Sequence, residues 1–331
     1  MIISWNTTKK CNLSCKHCYR ESGPDVTSTS ELDTAQGKRL IDQIKESGFK
    51  ILILSGGEPL LREDIFELAS YADSNGLRPA LGSNGMMISS KIAEKIVSSG
   101  ISVVSISLDS ATEKYHDDFR NSSGSWQKAV KGIKNSIDAG LKVQINTTLT
   151  ENNFEQFEDV VDLATNLGVG SVHPFFLVPT GRGVHIEQES LKRDKYFQMI
   201  KMVMKMQGDS DLELKPTCAP QFVPISKDMG IETRFTRGCI AGIRYCCILP
   251  NGDVHICPYL PVKTGNVIDK PFNRIWHESE VFKKLRNFRE YEGQCGSCNN
   301  LNICGGCRAR AYYYNEGNYM SEDPWCNGGG R

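Results

Sequence analysis

Cys11, Cys15 and Cys18 are the residues best suited to chemistry, and their spacing, C-x3-C-x2-C, says what kind. Three thiolates in one short loop can each hold one iron of a [4Fe–4S] cube. The fourth iron then lacks a protein ligand, and an open coordination position is where a small molecule binds. Structural zinc needs a fourth protein ligand, and His17 is the nearest candidate. Its side chain lies between two ligand cysteines and has difficulty reaching the same metal, so the cube is the better reading. A second constellation stands near the other end. It comprises Cys239, then Gly252-Asp-Val-His-Ile-Cys257, then Cys295-x2-Cys298-x5-Cys304-x2-Cys307, then Cys326. The two C-x2-C pairs alone also suit a zinc knuckle, although five residues between them are few for a zinc ribbon. Of the 13 cysteines, none falls from 19 to 217. Such clustering, behind a start that lacks a secretory signal, reads as metal ligation in a reducing compartment rather than as disulfides. A cytoplasmic location is the expectation.

These groups need a frame. Residues 2–7 read as a strand leading into the first cysteines. Apolar, β-rich runs at 51–54, 79–82, 102–108, 142–148 and 171–177 read as further strands. Helical spacing at 34–47, 63–75, 91–99, 126–139 and 154–167 alternates with them. This order implies βαβ units and a parallel sheet. About six units fit before residue 180, too few for a closed eight-fold barrel. The expectation is an α/β fold, a partial (β/α)6 barrel. Residues 187–207 read as a long helix whose Met199, Met202, Met204 and Met206 pack on the core. After Pro216, Gly, Cys and Tyr rise and helical periodicity weakens, apart from 272–288. A tail so short of apolar bulk is expected to be held together by metal centres. The chain thus divides into 1–215, a barrel with its following helix, and 216–331, a small cysteine-rich domain stabilised by iron–sulfur. Gly328-Gly329-Gly330 is the one low-complexity stretch.

Composition excludes some partners. Lys plus Arg and Asp plus Glu are both 39, for a formal net charge of zero. No bulk field is available to attract nucleic acid or an anionic membrane surface. No apolar run approaches the ~20 residues of a membrane span.

Cys11-x3-Cys15-x2-Cys18 followed by Tyr19, with Gly56-Gly57-Glu58-Pro59 after the next strand, resembles the signature of radical S-adenosylmethionine enzymes. The resemblance implies that the open iron is chelated by the cofactor's amino and carboxylate groups. Reduction then cleaves the sulfonium to a 5′-deoxyadenosyl radical. It also implies that Gly56, Gly57, Glu58 and Pro59 receive the methionine amino group. Ser105-Ile-Ser107-Leu-Asp109 resembles the family's S-x-S-x-D segment, placing Ser107 near the cofactor and Asp109 beside the substrate cavity. Asn84 is a ribose contact on the same basis, and Tyr19 stacks on the adenine. Turn chemistry and helix capping also account for Asn84 and Asp109, and ordinary packing for Tyr19.

The C-terminal order resembles the SPASM extension of this family, which carries auxiliary iron–sulfur clusters. The gap from Cys304 to Cys307 is one residue shorter than its commonest form. The resemblance implies one cluster on Cys295, Cys298, Cys304 and Cys326, and another on Cys239, Cys257 and Cys307. Loop position favours Cys246 over Cys247 and Cys218 as the fourth ligand of the latter.

Pro174-Phe-Phe-Leu-Val-Pro-Thr-Gly-Arg182-Gly, Leu214-Lys-Pro-Thr-Cys218-Ala-Pro-Gln221-Phe, Cys304-Gly-Gly-Cys-Arg-Ala-Arg310-Ala and Glu322-Asp-Pro-Trp325-Cys326 resemble the haem d1 and alternative haem branch. The resemblance implies oxidative decarboxylation of Fe-coproporphyrin III propionates to vinyl groups, giving haem b. Removal of acetates from 12,18-didecarboxysiroheme and haem d1 side-chain processing are sister alternatives. A low-potential donor such as ferredoxin or flavodoxin is implied as partner, with a tetrapyrrole as substrate. Arg182, Arg120 and Lys215 are candidates to bind its carboxylates, and His173 to approach its iron, although surface charge and core packing explain these four equally well. A SPASM peptide maturase needs a docking surface for an extended leader, for which the N-terminus has no residues to spare. A non-catalytic zinc or electron-carrier protein leaves the GGEP segment and the βαβ series without a role.

Overall fold

The computed structural model describes residues 1–27 and 30–326; the run at 328–330 lies outside the described residues. Seven strands follow one another: β1 Ile2–Asn6, β2 Ile51–Ser55, β3 Arg78–Ser83, β4 Val103–Ser107, β5 Lys142–Leu149, β6 Ser171–Phe176 and the short β7 Glu213–Leu214. Each pairs in parallel with the next in chain order. The helices between them are α1 Thr34–Glu46, α2 Ile65–Ser74, α3 Ser90–Ser98, α4 Glu113–Arg120, α5 Ser125–Asp138, α6 Phe157–Leu167 and α7 Arg193–Gly208. Strand alternation assigns the two faces of the sheet. Trp5, Leu54, Val104, Ile106 and Ile145 are fully buried in the core. The intervening Ser55, Ser105, Ser107, Gln144, Asn146 and His173 are only half-buried and form a polar face. α1 starts where Asp33 and Gln36 form a reciprocal capping box.

The parallel sheet and the helices at 34–47, 63–75, 91–99, 126–139 and 154–167 agree with the sequence reading to within a few residues. Three features differ. α4 has no counterpart, because Glu113–Arg120 carries five charged side chains and only a narrow apolar stripe. The stretch at 187–207 becomes α-helical only from Arg193, after two short 3-10 pieces within Gly181–Glu189 that are separated by a kink at Ile186. The stretch at 272–288 is two helices, α9 Phe272–Glu278 and α10 Glu280–Arg286, separated by Ser279 in extended backbone. Met199 and Met204 lie in the core, with Met202 and Met206 packed against it.

The tail is not poor in apolar contacts. β8 Tyr245–Ile248 adds to the free edge of β1 in parallel, aligning Ile2 with Tyr245 and Ser4 with Cys247. β9 Asp253–Cys257 and β10 Leu260–Asn266 continue from it antiparallel. The result is one open ten-stranded sheet in the order β10-β9-β8-β1-β2-β3-β4-β5-β6-β7. Ile248, Val254, Ile256, Leu260, Phe272, Trp276 and Leu285 join the same core as the barrel residues. Phe49 packs edge-on against Phe272 and Trp276. These apolar residues are divided among short strands and helices, so no single window shows a period. The remaining helices are α8 Phe222–Asp228, α11 Gly293–Gly296 and α12 Arg308–Tyr314. No helix among the described residues is long and apolar enough to cross a membrane.

Candidate active site

The loop after β1 carries Cys11, Cys15 and Cys18 into a small apolar pocket with Leu13 and Met86. Burial pushes the Cys11 thiol up to about 12 and raises that of Cys15. Such thiols shed their protons when a metal cation takes the proton's place. Among the described residues, no three His, Cys, Asp or Glu side chains converge on one ion. A cube asks something different, one thiolate for each of three irons. His17 does not point at the cysteines as a ligand. Its ring stacks on Phe119 at 4.2 Å, and burial lowers it to about 3.

Gly56 and Gly57 press the loop after β2 against the cysteine loop. The backbone N–H of Gly57 donates to the Thr8 carbonyl at 2.8 Å, and that of Glu58 to the Lys10 carbonyl at 2.8 Å. A Cβ on Gly57 would stand 2.1 Å from the Lys10 oxygen, and Gly56 has φ +146°. Only glycine permits this approach. Pro59 opens a 3-10 turn capped by Glu58. The Glu58 carboxylate is fully buried and accepts from Ser83 Oγ at 3.0 Å and from the Asn84 N–H at 2.9 Å. Burial pushes it up to about 7 against those hydrogen bonds. Asn84 in turn donates to Asn12 Oδ1 at 2.7 Å and comes within 4.0 Å of Cys11 Sγ. The GGEP segment, the end of β3 and the cysteine loop therefore form one hydrogen-bonded unit. Ser107 ends β4 on the polar face.

Two expected carboxylate binders have other work. Arg182 donates from Nε to the Cys15 carbonyl and from Nη2 to the Ser22 carbonyl, both at 2.8 Å, and its own N–H reaches the Cys18 carbonyl at 3.0 Å. It holds the shape of the cysteine loop. Arg120, at the end of α4, pairs with Asp109 at 2.6 Å and brings Nη1 to 3.8 Å from Cys15 Sγ. Asp109, expected beside the substrate cavity, is fully buried; it also accepts from the Thr148 N–H at 2.8 Å. Burial alone would raise its carboxyl, but Arg120, with His17 and His116, holds it down to about 2. The pair sets a cation beside the Cys15 sulfur, which favours the thiolate.

Tyr19 packs on Tyr259, ring centroids 5.0 Å apart, and links the cysteine loop to the turn between β9 and β10. The sequence reading missed Arg20. Its Nε donates to Asn6 Oδ1 at 2.9 Å and its Nη2 lies 3.7 Å from Cys247 Sγ. Adjacency to the cluster motif was the only available signal. Lys215 shares a strand face with Glu213, lies 4.8 Å over the Phe235 ring, and is pushed down by burial. His173 faces Glu213 at 3.5 Å rather than standing alone.

The C-terminal cysteines fall into two groups. Cys295, Cys298, Cys304 and Cys326 line one cavity of ≈ 90 Å³ with Gln221, Leu301, Gly305 and Gly306. Donors are aimed at three of these sulfurs: Arg308 Nη2 at Cys295 (3.3 Å), the Asn300 N–H at Cys298 (3.4 Å) and the Gly306 N–H at Cys304 (3.5 Å). Such donors stabilise thiolate charge, so this set fits an iron–sulfur cluster. Cys239, Cys257 and Cys307 lie in mutual electrostatic contact. Cys246, expected to complete their set, is instead fully buried in the apolar core, opposite Ile3 on β1. Cys218 lies beside Cys307.

The pattern of the radical SAM superfamily matches residues 5–164, and that of the SPASM iron–sulfur cluster-binding domain matches residues 239–299. The chain is 40% identical over 337 residues to the AdoMet-dependent heme synthase of Methanosarcina barkeri, covering 98% of this chain and 95% of that one. It is 29% identical to the Fe-coproporphyrin III synthase of the same organism, over 98% of this chain and 87% of the relative. Among solved structures, Streptococcus suis SuiB bound to its precursor peptide SuiA superimposes with a TM-score of 0.78 at 20% identity. The match covers 98% of this chain and 75% of that one, a likeness of fold.

Proposed function

The chain is a member of the radical SAM superfamily with a SPASM domain, and from that premise we propose that it oxidatively decarboxylates the propionates of Fe-coproporphyrin III to vinyl groups, giving haem b. End-to-end likeness to a haem synthase, stronger than to the Fe-coproporphyrin III synthase, is the observation that carries this reading. When bound at Cys11, Cys15 and Cys18, the cluster with S-adenosylmethionine supplies hydrogen abstraction from an unactivated carbon, which side-chain acids and bases cannot do. The residues of the chain prepare for that chemistry. Arg182 and the docked GGEP loop fix the three thiols, and Arg120 sets its positive charge beside Cys15. Glu58 and Asn84 orient the end of β3 toward the same loop. Arg20 and Lys215, with no hydrogen-bonded carboxylate partner among the described residues, supply charge-assisted hydrogen bonds for substrate propionates. Each conversion releases carbon dioxide and leaves an electron, for which iron–sulfur centres held by the cysteines of the SPASM part would be the acceptor. A ferredoxin or flavodoxin supplies the reducing electron, and the reaction belongs in the cytoplasm.

The test is an anaerobic assay of the reconstituted, reduced protein with Fe-coproporphyrin III, followed by mass spectrometry. Products lighter by one carbon dioxide and two hydrogens per converted propionate are expected, together with 5′-deoxyadenosine. Turnover of 12,18-didecarboxysiroheme in its place would move the assignment to acetate removal.

A further inference from the structure

We infer that Cys218 supplies the fourth thiolate of the auxiliary centre formed with Cys239, Cys257 and Cys307, so that no iron there is left open to substrate. The inference rests on the reading that the SPASM part holds two iron–sulfur centres. Cys218 lies outside the matched SPASM residues 239–299. It follows β7, the last strand of the parallel series, where the Thr217 N–H donates to the Pro174 carbonyl at 2.8 Å and the Phe176 N–H to the Thr217 carbonyl at 3.0 Å. Its backbone is left-handed, with φ +59°. A residue bearing a Cβ avoids that region unless its surroundings enforce it.

The enforcing contact comes from Arg310. Arg310 Nη1 donates to the Cys218 carbonyl at 3.0 Å. The same guanidinium grips Asp323 through Nε and Nη2, both at 2.7 Å, and the pair is fully buried. Asp323 Oδ2 accepts the Cys307 N–H at 2.9 Å. One ion pair thus fixes the backbones of Cys218 and Cys307, which are far apart in sequence, and their side chains lie in electrostatic contact. Cys257 interacts with Cys218 and Cys307, and Cys239 with Cys307 and Cys257. The Cys239 N–H is tied to the Cys304 carbonyl at 2.9 Å, which anchors the loop from its other side. The two other cysteines of this region face elsewhere. Cys246 is in the apolar core, and Cys247 meets Asn6 Oδ1 at 3.5 Å and Arg20 on the sheet's other face.

The experiment uses the full chain with Cys11, Cys15 and Cys18 replaced by Ala, reconstituted anaerobically with iron and sulfide. That parent should hold roughly eight irons, as two four-iron cubes, and its reduced electron paramagnetic resonance spectrum should be unchanged by added cyanide. In this background Cys218→Ala should lose about one iron of one cube, or leave that iron open, so that cyanide now alters one of the two signals. Cys246→Ala should keep the parent's iron content and spectrum. An unchanged, cyanide-insensitive spectrum in Cys218→Ala, or the change appearing in Cys246→Ala instead, overturns the assignment alone. If Cys218→Ala fails to fold, Cys218→Ser decides: an oxygen ligand shifts the signals of one cube, whereas an identical spectrum counts against the proposal. A folded parent that binds no iron overturns both this inference and the reading beneath it.

Discussion

Asp109 and Arg120 form a buried pair whose cation stands 3.8 Å from Cys15 Sγ, so its energetics reach both the fold and the cluster loop. The folded carboxyl, at about 2, lies below its ordinary value of 3.8. A depressed carboxylate contributes stability that is fully present above the ordinary value and is lost as pH falls from 3.8 through 2. Asp109→Asn should therefore flatten the acid limb of the stability curve. At neutral pH it should cost about 3–5 kcal/mol, because Arg120 is left as an uncompensated buried charge. Urea unfolding across pH would show this; an unaltered midpoint at pH 7 would mean that the pair is solvated. Cys15→Ala makes a separate prediction. Cleavage of S-adenosylmethionine should disappear while iron stays in the C-terminal part, and loss of all iron would show that the two cysteine sets depend on each other. At this scale the cysteines were legible from type and spacing, and Glu58, Asn84 and Arg120 as residues of interest only through their place in or beside motifs that resemble the family's. Their partners were not. Arg182 looks from sequence like a substrate ligand, and only the fold reveals that its donors are taken up by the carbonyls of Cys15 and Ser22.

Among the elements, the contact between the loops that follow β1 and β2 positions the site, and two glycines set its closeness. Gly57→Ala puts a Cβ 2.1 Å from a backbone oxygen that cannot move aside without moving the cysteine loop. The expected result is loss of S-adenosylmethionine cleavage with the C-terminal iron retained, read by 5′-deoxyadenosine formation against iron content. Full activity in that variant would show that the loops separate freely. α4 is the element that sequence periodicity missed. Its Asp117 accepts from the Trp126 N–H and Ser125 Oγ, both at 2.8 Å, and so ties α4 to the start of α5. Asp117→Ala should cost about 1–2 kcal/mol, as a lost cap does, measurable as a lower urea midpoint. The strands and the longer helices were readable because their burial follows periods of two and 3.6. A short charged helix such as α4 is fixed by tertiary hydrogen bonds instead, and these have no local period.

For the whole molecule, what counts is which strand covers the edge of β1. The sequence alone suggests a barrel at 1–215 and a separate metal-held tail, because local patterns report βα units but not pairings between distant segments. Tyr245-Cys246-Cys247-Ile248 reads as a cysteine-rich stretch, yet it is the strand that pairs with Ile2–Trp5. Cys246 and Ile248 are fully buried in the core shared with the barrel. Removing residues after 215 would strip β1 of that partner and expose a row of unpaired backbone groups next to Ile3, a surface prone to pair with another chain. It would also remove Phe272 and Trp276 from Phe49. A fragment of residues 1–215 is therefore expected to aggregate or to be cut rapidly by protease, whereas the full chain, even without iron, should unfold in a single cooperative transition followed by circular dichroism. A monomeric fragment with its own sharp unfolding transition would show that the shared sheet is dispensable. The contrary outcome would mean that the N-terminal and C-terminal cysteine groups are held at fixed separation by hydrogen bonds of one sheet, with Tyr19 against Tyr259 at the seam.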